Sequence, residues 1–295
     1  MTTFISPFTD FGFKRIFGQE DSKIVLIGFL NALFEGEFVV SDLEYRDKEQ
    51  LPEHPDMRNA IFDIYCTLET GEHFILEMQN NYQKHFEDRA LYYAARRIAR
   101  QGKKGPWDYA FNAVYGIYFM NFVDSVLPKD FRNDYGICKL ANNENTAIQQ
   151  VLTRKLRMVF LQLPLFTKTE NDCKTDLDKW TYILVNMDTL NEIPWRKEKE
   201  AFDAIAEIGS YEALSEEDRN RYDEALRNYQ DSIAVYEGAI EKGIDIGIEK
   251  GIEKGIKQGE HNKSIKIAKM MKADGVSEKQ IAQYTGLTQE EIDKL

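Results

Sequence analysis

The sequence predicts an α/β fold: a mixed β-sheet flanked by helices, with an α-helical C-terminal extension. Three observations predict it. Two alternating apolar runs are joined by a glycine turn within residues 61–79, three more strand-like runs lie between 111 and 163, and helical periodicity precedes, interrupts and follows them. With 295 residues, 43% of them hydrophobic, the chain has enough apolar material for one sizeable core and an appended region.

In chain order, residues 8–34 read as one or two amphipathic helices. Thr9 or Asp10 caps the first, and Ile24, Leu26, Ile27, Phe29, Leu30 and Leu33 make the second apolar enough to lie on a sheet. Asp10 and Lys14 stand one turn apart and share a helix face, where an exposed ion pair is the simple expectation. Residues 39–45 suit a short strand. Leu51-Pro52-Glu53-His54-Pro55 breaks regular structure, and Arg58 reads as a surface residue just before the next strand.

At 61–79 the loop Glu69-Thr70-Gly71 suits a three-residue hairpin turn closed by Gly71 in the left-handed region. This register sets Cys66 against Phe74, Ile64 against Leu76 and Asp63 against Glu77. Phe62, Ile64, Cys66, Leu68, Phe74, Leu76 and Met78 then form one apolar face, and Asp63, Glu77 and Gln79 share the other.

A helix over 86–101 places Arg89, Tyr93, Arg96 and Arg100 on one face. From Arg89 through Trp107 the basic residues are Arg89, Arg96, Arg97, Arg100, Lys103 and Lys104, with no acidic residue among them. Such a segment suits sequence-indifferent contact with a phosphate backbone, while a solvated helix face with half-buried tyrosines explains it equally simply. Strands over 111–122, 134–140 and 155–163 complete the sheet, and Trp180, Ile183 and Leu184 give the helix over 177–187 a packing stripe.

Beyond Pro194 the composition turns charged and helical. Residues 197–236 read as small helices. Gly243, Gly247, Gly251, Gly255 and Gly259 then recur every four residues, with Ile244, Ile248, Ile252 and Ile256 following the first four. Glycine weakens a lone helix by about 1 kcal/mol each relative to alanine, so close pairing of backbones is one explanation and a frayed charged linker another. A period of four, longer than 3.6, favours right-handed crossing. Residues 263–295 suit a small helical hairpin with capping boxes at Ser277/Gln280 and Thr288/Glu291 and helix ends at Gly275 and Gly286. Its final helix carries three acidic residues against one basic, poor material for a major groove, so packing or partner binding is the expected role. The expected organisation is 1–190 as the main domain, 191–238 as a helical extension, 239–262 as a repeat helix or linker and 263–295 as a tail.

Two facing carboxylates repel at roughly 5 Å. A solvated pair on a wet sheet face tolerates this. Otherwise a shared proton, a basic neighbour or a hard divalent cation offsets it, and the cation suits hydrolysis of a phosphodiester. Asp63, followed after thirteen residues by Glu77-Met78-Gln79 in a strand-turn-strand context, resembles the active-site hairpin of the PD-(D/E)XK nuclease superfamily. It is most similar to the Rpn branch of recombination-promoting nucleases and transposases, where glutamine commonly stands in place of lysine. The resemblance extends to Asp10-Phe11-Gly12-Phe13-Lys14-Arg15-Ile16-Phe17-Gly18, to Arg89-Ala90-Leu91-Tyr92-Tyr93 and to the glycine repeat, which together span most of the chain.

The resemblance implies a restriction-endonuclease-like core and a metal-dependent DNA endonuclease of low sequence specificity, promoting recombination or serving mobile-element or defence roles. It implies Mg2+, with Mn2+ as the alternative, held by Asp63 and Glu77 with Asp10 as a further ligand. Gln79 would orient water and Lys14 would lie near the phosphate. The substrate would be DNA, held by Arg89, Tyr93, Arg96, Arg97, Arg100 and Lys103, with a homo-oligomer, in the simplest case a dimer, formed through the C-terminal helices. A nuclease-like fold kept for binding DNA or protein is the alternative. Gln79 cannot carry a lysine's charge, so more of the water activation would fall on the metal. The net charge of −12 is unlike that of a typical nucleic-acid binder and requires the basic residues to be concentrated. Cys66, Cys138 and Cys173 have no zinc-site spacing and read as reduced thiols, and the chain shows neither a signal pattern nor an apolar run long enough to span a membrane, so a cytoplasmic location is expected.

Overall fold

The computed structural model describes residues 3–47, 49–50, 60–139 and 151–295; the expectations for Leu51-Pro52-Glu53-His54-Pro55, Arg58 and the end of the 134–140 strand at Leu140 lie outside them. The chain divides into two compact units, Met1–Ile233 and Ala234–Leu295.

The first unit opens with two helices. Helix α1 (Asp10–Phe17) is capped by Thr9, whose hydroxyl accepts from the Gly12 amide at 2.9 Å. Gly12 has a second reason to be glycine, because a Cβ there would collide with the Ser6 carbonyl oxygen. Helix α2 (Lys23–Leu33) is apolar around most of its circumference and buries Val25, Leu26, Phe29, Leu30 and Leu33.

In chain order the strands are β1 (Leu43–Tyr45), β2 (Glu49–Gln50), β3 (Ala60–Ile61), β4 (Ile64–Leu68), β5 (His73–Gln79), β6 (Val114–Met120), β7 (Arg132–Cys138) and β8 (Val151–Gln162). Six of them form one sheet in the order β1-β4-β5-β6-β8-β7, and β2 pairs with β3. Strands β5, β6 and β8 run parallel to one another, while β1, β4 and β7 are antiparallel to their neighbours. The predicted hairpin register holds, with Ile64 opposite Leu76 and Cys66 opposite Phe74. Its turn holds too: Gly71 has φ +98°, its amide donates to the Leu68 carbonyl, and the Leu68 amide donates to Glu72.

Helices cover both faces of the sheet. Helix α3 (Phe86–Ala99) connects β5 to β6 and lies on one face, where Tyr65, Ile75, Tyr118 and Phe160 meet Phe86, Ala90 and Ala94. On the other face α1, α2, α4 (Asp176–Asn186) and α5 (Glu200–Ile208) pack over Ile64, Leu76, Ile117, Phe119, Val159 and Leu161. Trp180, Ile183 and Leu184 are buried there as expected. Fully burying one such side chain contributes about 1.5–3 kcal/mol, so these two apolar layers outweigh the surface ion pairs in holding the sandwich together.

One predicted face member sits elsewhere. Phe62 packs with Tyr65 and edge-on to Tyr93 on the α3 side, because Asp63 lies outside the regular ladder and the alternation resets there. The expected small helices of 197–236 also differ from the structure: α5 is followed by α6 (Glu216–Ala273), one continuous 58-residue helix that takes in the glycine repeat. Its opening turns belong to the first unit. The Tyr222 hydroxyl accepts from the Ser6 amide at 2.9 Å, and Tyr229 stacks on Phe8.

In the second unit Ile244, Ile248, Ile252 and Ile256 are each more than half exposed, and a Cβ added at any of the five repeat glycines would meet nothing within 4 Å. The unit ends in a small core where Ala268 of α6 meets Ile281 of α7 (Glu278–Thr285), Ile292 of α8 (Gln289–Asp293) and Leu287 from the connection between them. It is therefore a three-helix arrangement rather than a two-helix hairpin. Gly275 and Gly286 have positive φ at helix ends, and the Thr288/Glu291 capping box forms. Ser277 departs from expectation: it caps no backbone amide and bonds to the Gln280 side chain instead. Among the described residues no helix is long and apolar enough to cross a membrane.

Candidate active site

Two adjoining strands and α3 build the site. β4 begins just after Asp63, and Glu77 and Gln79 close β5, so all three come to the end of the hairpin away from its turn. The Asp63 side chain bridges the strands, with Oδ2 accepting from the Met78 amide at 2.9 Å. Asp63 lies one residue beyond the last ladder pair, Ile64 with Leu76, and is close enough for its charge to act on Glu77.

The sheet face carrying Glu77 is covered. Because α3 crosses it, Glu77 is only 3% exposed. Burial first, and then the Asp63 charge, push its carboxyl up to about 7, while Arg89 and the Gln79 amide pull it down. Arg89 Nη2 lies 3.8 Å from Glu77 Oε2, and Gln79 Nε2 donates to the same oxygen at 3.3 Å. Glu77 Oε1 is buried with no hydrogen-bond partner. Such an oxygen is costly unless a proton or a cation satisfies it.

The phenol of Tyr93 is raised by burial and then by the Glu77 charge, so Tyr93, one helical turn from Arg89, lies near the carboxylate that Arg89 approaches. That placement was legible only as a shared face, and the sequence assigns the face to DNA. The rest of that face is partly withdrawn from solvent. Arg96 is only 8% exposed, Arg97 lies over the Tyr65 ring at 4.9 Å, Arg100 is half-buried and Lys103 is exposed.

Asp10 pairs with Lys14 at 2.5 Å. Both line a cleft of about 440 Å³ between α1 and the start of α6, shared with Phe11, Asn80, Arg221 and Tyr229. Asp10 is not gathered with Asp63 and Glu77 as a third metal ligand: among the described residues no three Asp, Glu, His or Cys side chains come together in a metal-binding group. The i,i+4 spacing on α1 turns Asp10 to Lys14 instead. Sequence reasoning missed Asn80, which follows Gln79 directly. Its Nδ2 donates to the Phe8 carbonyl at 2.7 Å, and its Oδ1 is buried without a partner. Tyr229 was legible only as one of the apolar residues of 197–236 suited to packing on the main domain, and Arg221 had no sequence signal, since only the return of α6 onto α1 brings them here.

A sandwich of this topology with Asp63 and Glu77 on a central hairpin is the PD-(D/E)XK architecture, and the chain belongs to the PD-(D/E)XK nuclease family transposases, whose family model matches residues 7–239. No curated protein and no solved structure matches the chain. Membership makes it nuclease-like, with DNA as the implied substrate, in a superfamily that generally uses divalent metal ions.

The residues fit such an ion. The Asp63 carboxylate is a close neighbouring charge of Glu77, a Glu77 oxygen is buried and unsatisfied, and the donors are hard oxygens of the kind Mg2+ and Mn2+ take.

Proposed function

We propose that the protein is a divalent-metal-dependent DNA endonuclease of low sequence specificity that hydrolyses phosphodiester bonds at the Asp63–Glu77 pair. The observation that carries this is Glu77: a buried carboxyl beside a second acid, with an unsatisfied oxygen and its pKa near 7. Asp63 and Glu77 would hold Mg2+ or Mn2+, which supplies charge neutralisation at the scissile phosphate and acidifies water. Gln79, tied to Glu77 through its amide nitrogen, keeps its carbonyl oxygen to accept a hydrogen bond from the attacking water and orient it. Lys14 in the cleft neutralises phosphate charge, and its pairing with Asp10 holds the ammonium in place until DNA displaces the carboxylate. Arg89 positions Glu77 and favours its ionised form. The exposed Lys103, with Arg100, adds backbone contacts that are indifferent to sequence. Recombination, mobile-element spread or defence would follow from such cleavage.

The tail would join two copies of the chain. In support, its isoleucine row is exposed beside a glycine row open enough for close approach of a second helix.

Incubating supercoiled plasmid with purified protein in Mg2+, in Mn2+ and in EDTA, beside Asp63→Ala and Glu77→Ala variants checked for folding, tests the cleavage. Metal-dependent nicking absent from both variants is expected. Folded protein that binds DNA and never cuts it in either metal would replace the nuclease reading with a binding module.

A further inference from the structure

A second pair of acids stands apart from the hairpin. Glu87 lies in the first turn of α3, and Asp124 lies in the connection from β6 to β7. Asp124 is 1% exposed; its Oδ1 accepts from the Val126 amide at 2.7 Å, and its Oδ2 is buried with no partner. Glu87 Oε1 is likewise buried with no partner. The two carboxyl groups lie within hydrogen-bonding reach of each other, and burial followed by Asp124 raises the Glu87 pKa. Asp88 adds a third negative charge nearby, paired with His85 at 3.3 Å. Neither Glu87 nor Asp124 has an ion pair with a described lysine or arginine.

The connection is built to keep Asp124 there. Gln162, fully buried at the end of β8, accepts from the Asp124 amide at 2.8 Å and donates to the carbonyls of Pro128 and Asp130 at 2.8 and 3.0 Å. Asn133 donates to the same two carbonyls. With its backbone satisfied by buried amides, the connection spends none of its own donors on Asp124 Oδ2. While both groups are ionised, neither of these unsatisfied acceptors can satisfy the other, so a proton or a cation has to come between them.

We propose that Glu87 and Asp124 form a second divalent-cation site, separate from Asp63 and Glu77, that takes a hard ion such as Mg2+, Mn2+ or Ca2+ and clamps the β6–β7 connection to the start of α3. One or two carboxylates completed by water is a normal ligand set for Mg2+. Arg89 is two residues beyond Glu87, so the clamp steadies the turn of helix that holds Arg89 against Glu77.

Mn2+ bound to the full-length protein at pH 7.5, counted by electron paramagnetic resonance, tests this. Asp63→Ala/Glu77→Ala is expected to retain one ion, and Glu87→Gln/Asp124→Asn to lose one relative to wild type. Glu87→Gln alone, a near-isosteric change at a partly buried side chain in the first turn of α3, should weaken that ion at least tenfold even if the double variant fails to fold. A wild-type count of one ion that only the Glu87/Asp124 substitutions remove would retire the hairpin metal and leave this site standing. An ion count unchanged by Glu87→Gln and by Glu87→Gln/Asp124→Asn overturns the proposal, and if these variants are also more stable than wild type at pH 8, the species between the two carboxyls is a shared proton.

Discussion

Replacing Glu77 by glutamine should make the protein more stable at alkaline pH. The ordinary glutamate value of 4.5 rises to about 7 in the fold, burial being the first cause and Asp63 the second. At about 1.36 kcal/mol per pH unit, that displacement corresponds to roughly 3 kcal/mol. The sign follows from proton linkage. A carboxyl raised by folding holds its proton more tightly in the native state, so its stability contribution is intact below pH 4.5, is lost as pH rises from 4.5 to 7, and stays lost above. Glutamine removes the ionisation and keeps the shape. The three tryptophans, Trp107, Trp180 and Trp195, all lie in the first unit, so urea titration followed by their fluorescence reports on the unit that holds the site. In EDTA, Glu77→Gln should match wild type within about 0.5 kcal/mol at pH 4.5 and exceed it by up to about 3 kcal/mol at pH 8. Added Mg2+ should narrow the gap at pH 8 by stabilising wild type alone. An equal difference at both pH values, or a variant weaker than wild type at pH 8, would falsify the account of Glu77 as a buried acid waiting for a cation.

Arg89→Ala should move the rising limb of the cleavage pH profile upward, because Arg89 holds the Glu77 pKa down, and Arg89→Lys should restore part of the shift; an unmoved profile removes Arg89 from the site. Gly71→Ala should cost about 1–2 kcal/mol in urea titration, since φ +98° is strained for any residue with a Cβ, and no measurable loss would mean the turn relaxes to another form. Replacing Gly243, Gly247, Gly251 and Gly255 by alanine should raise helicity by circular dichroism, at about 1 kcal/mol of propensity each. It should also shift sedimentation toward monomer if those glycines admit a second backbone. Helicity that rises while sedimentation stays put would dissociate the repeat from pairing.

What could be read from the sequence was whatever the local pattern determines. The hairpin was legible down to the pairs Ile64–Leu76 and Cys66–Phe74 because Gly71 fixes the loop and the loop fixes the register. Phe62 was not legible, since alternation holds only while the ladder does and the chain leaves it at Asp63. The arginine spacing in α3 gave the right face but not what lies beneath it, and only the β5-α3-β6 crossover turns Arg89 toward Glu77 and buries Arg96. Glycine every four residues argues against a long helix by propensity, yet α6 runs through all five. Asn80 and Asp124 carry no motif at all; their unsatisfied oxygens exist only because folding takes them out of water.

The return of α6 onto the start of the chain also bears on how the protein is made. Ser6 and Tyr222 are 216 residues apart, and the Phe8–Tyr229 stack and the bond from Asn121 to Tyr229 close behind them. A ribosome adding about 5–20 residues per second makes the second partner roughly 10–40 s after the first. The hairpin carrying Asp63 and Glu77 is synthesised early, but the cleft beside Lys14 has no second wall until α6 emerges. A nascent chain therefore carries its acids for most of its synthesis without the finished groove.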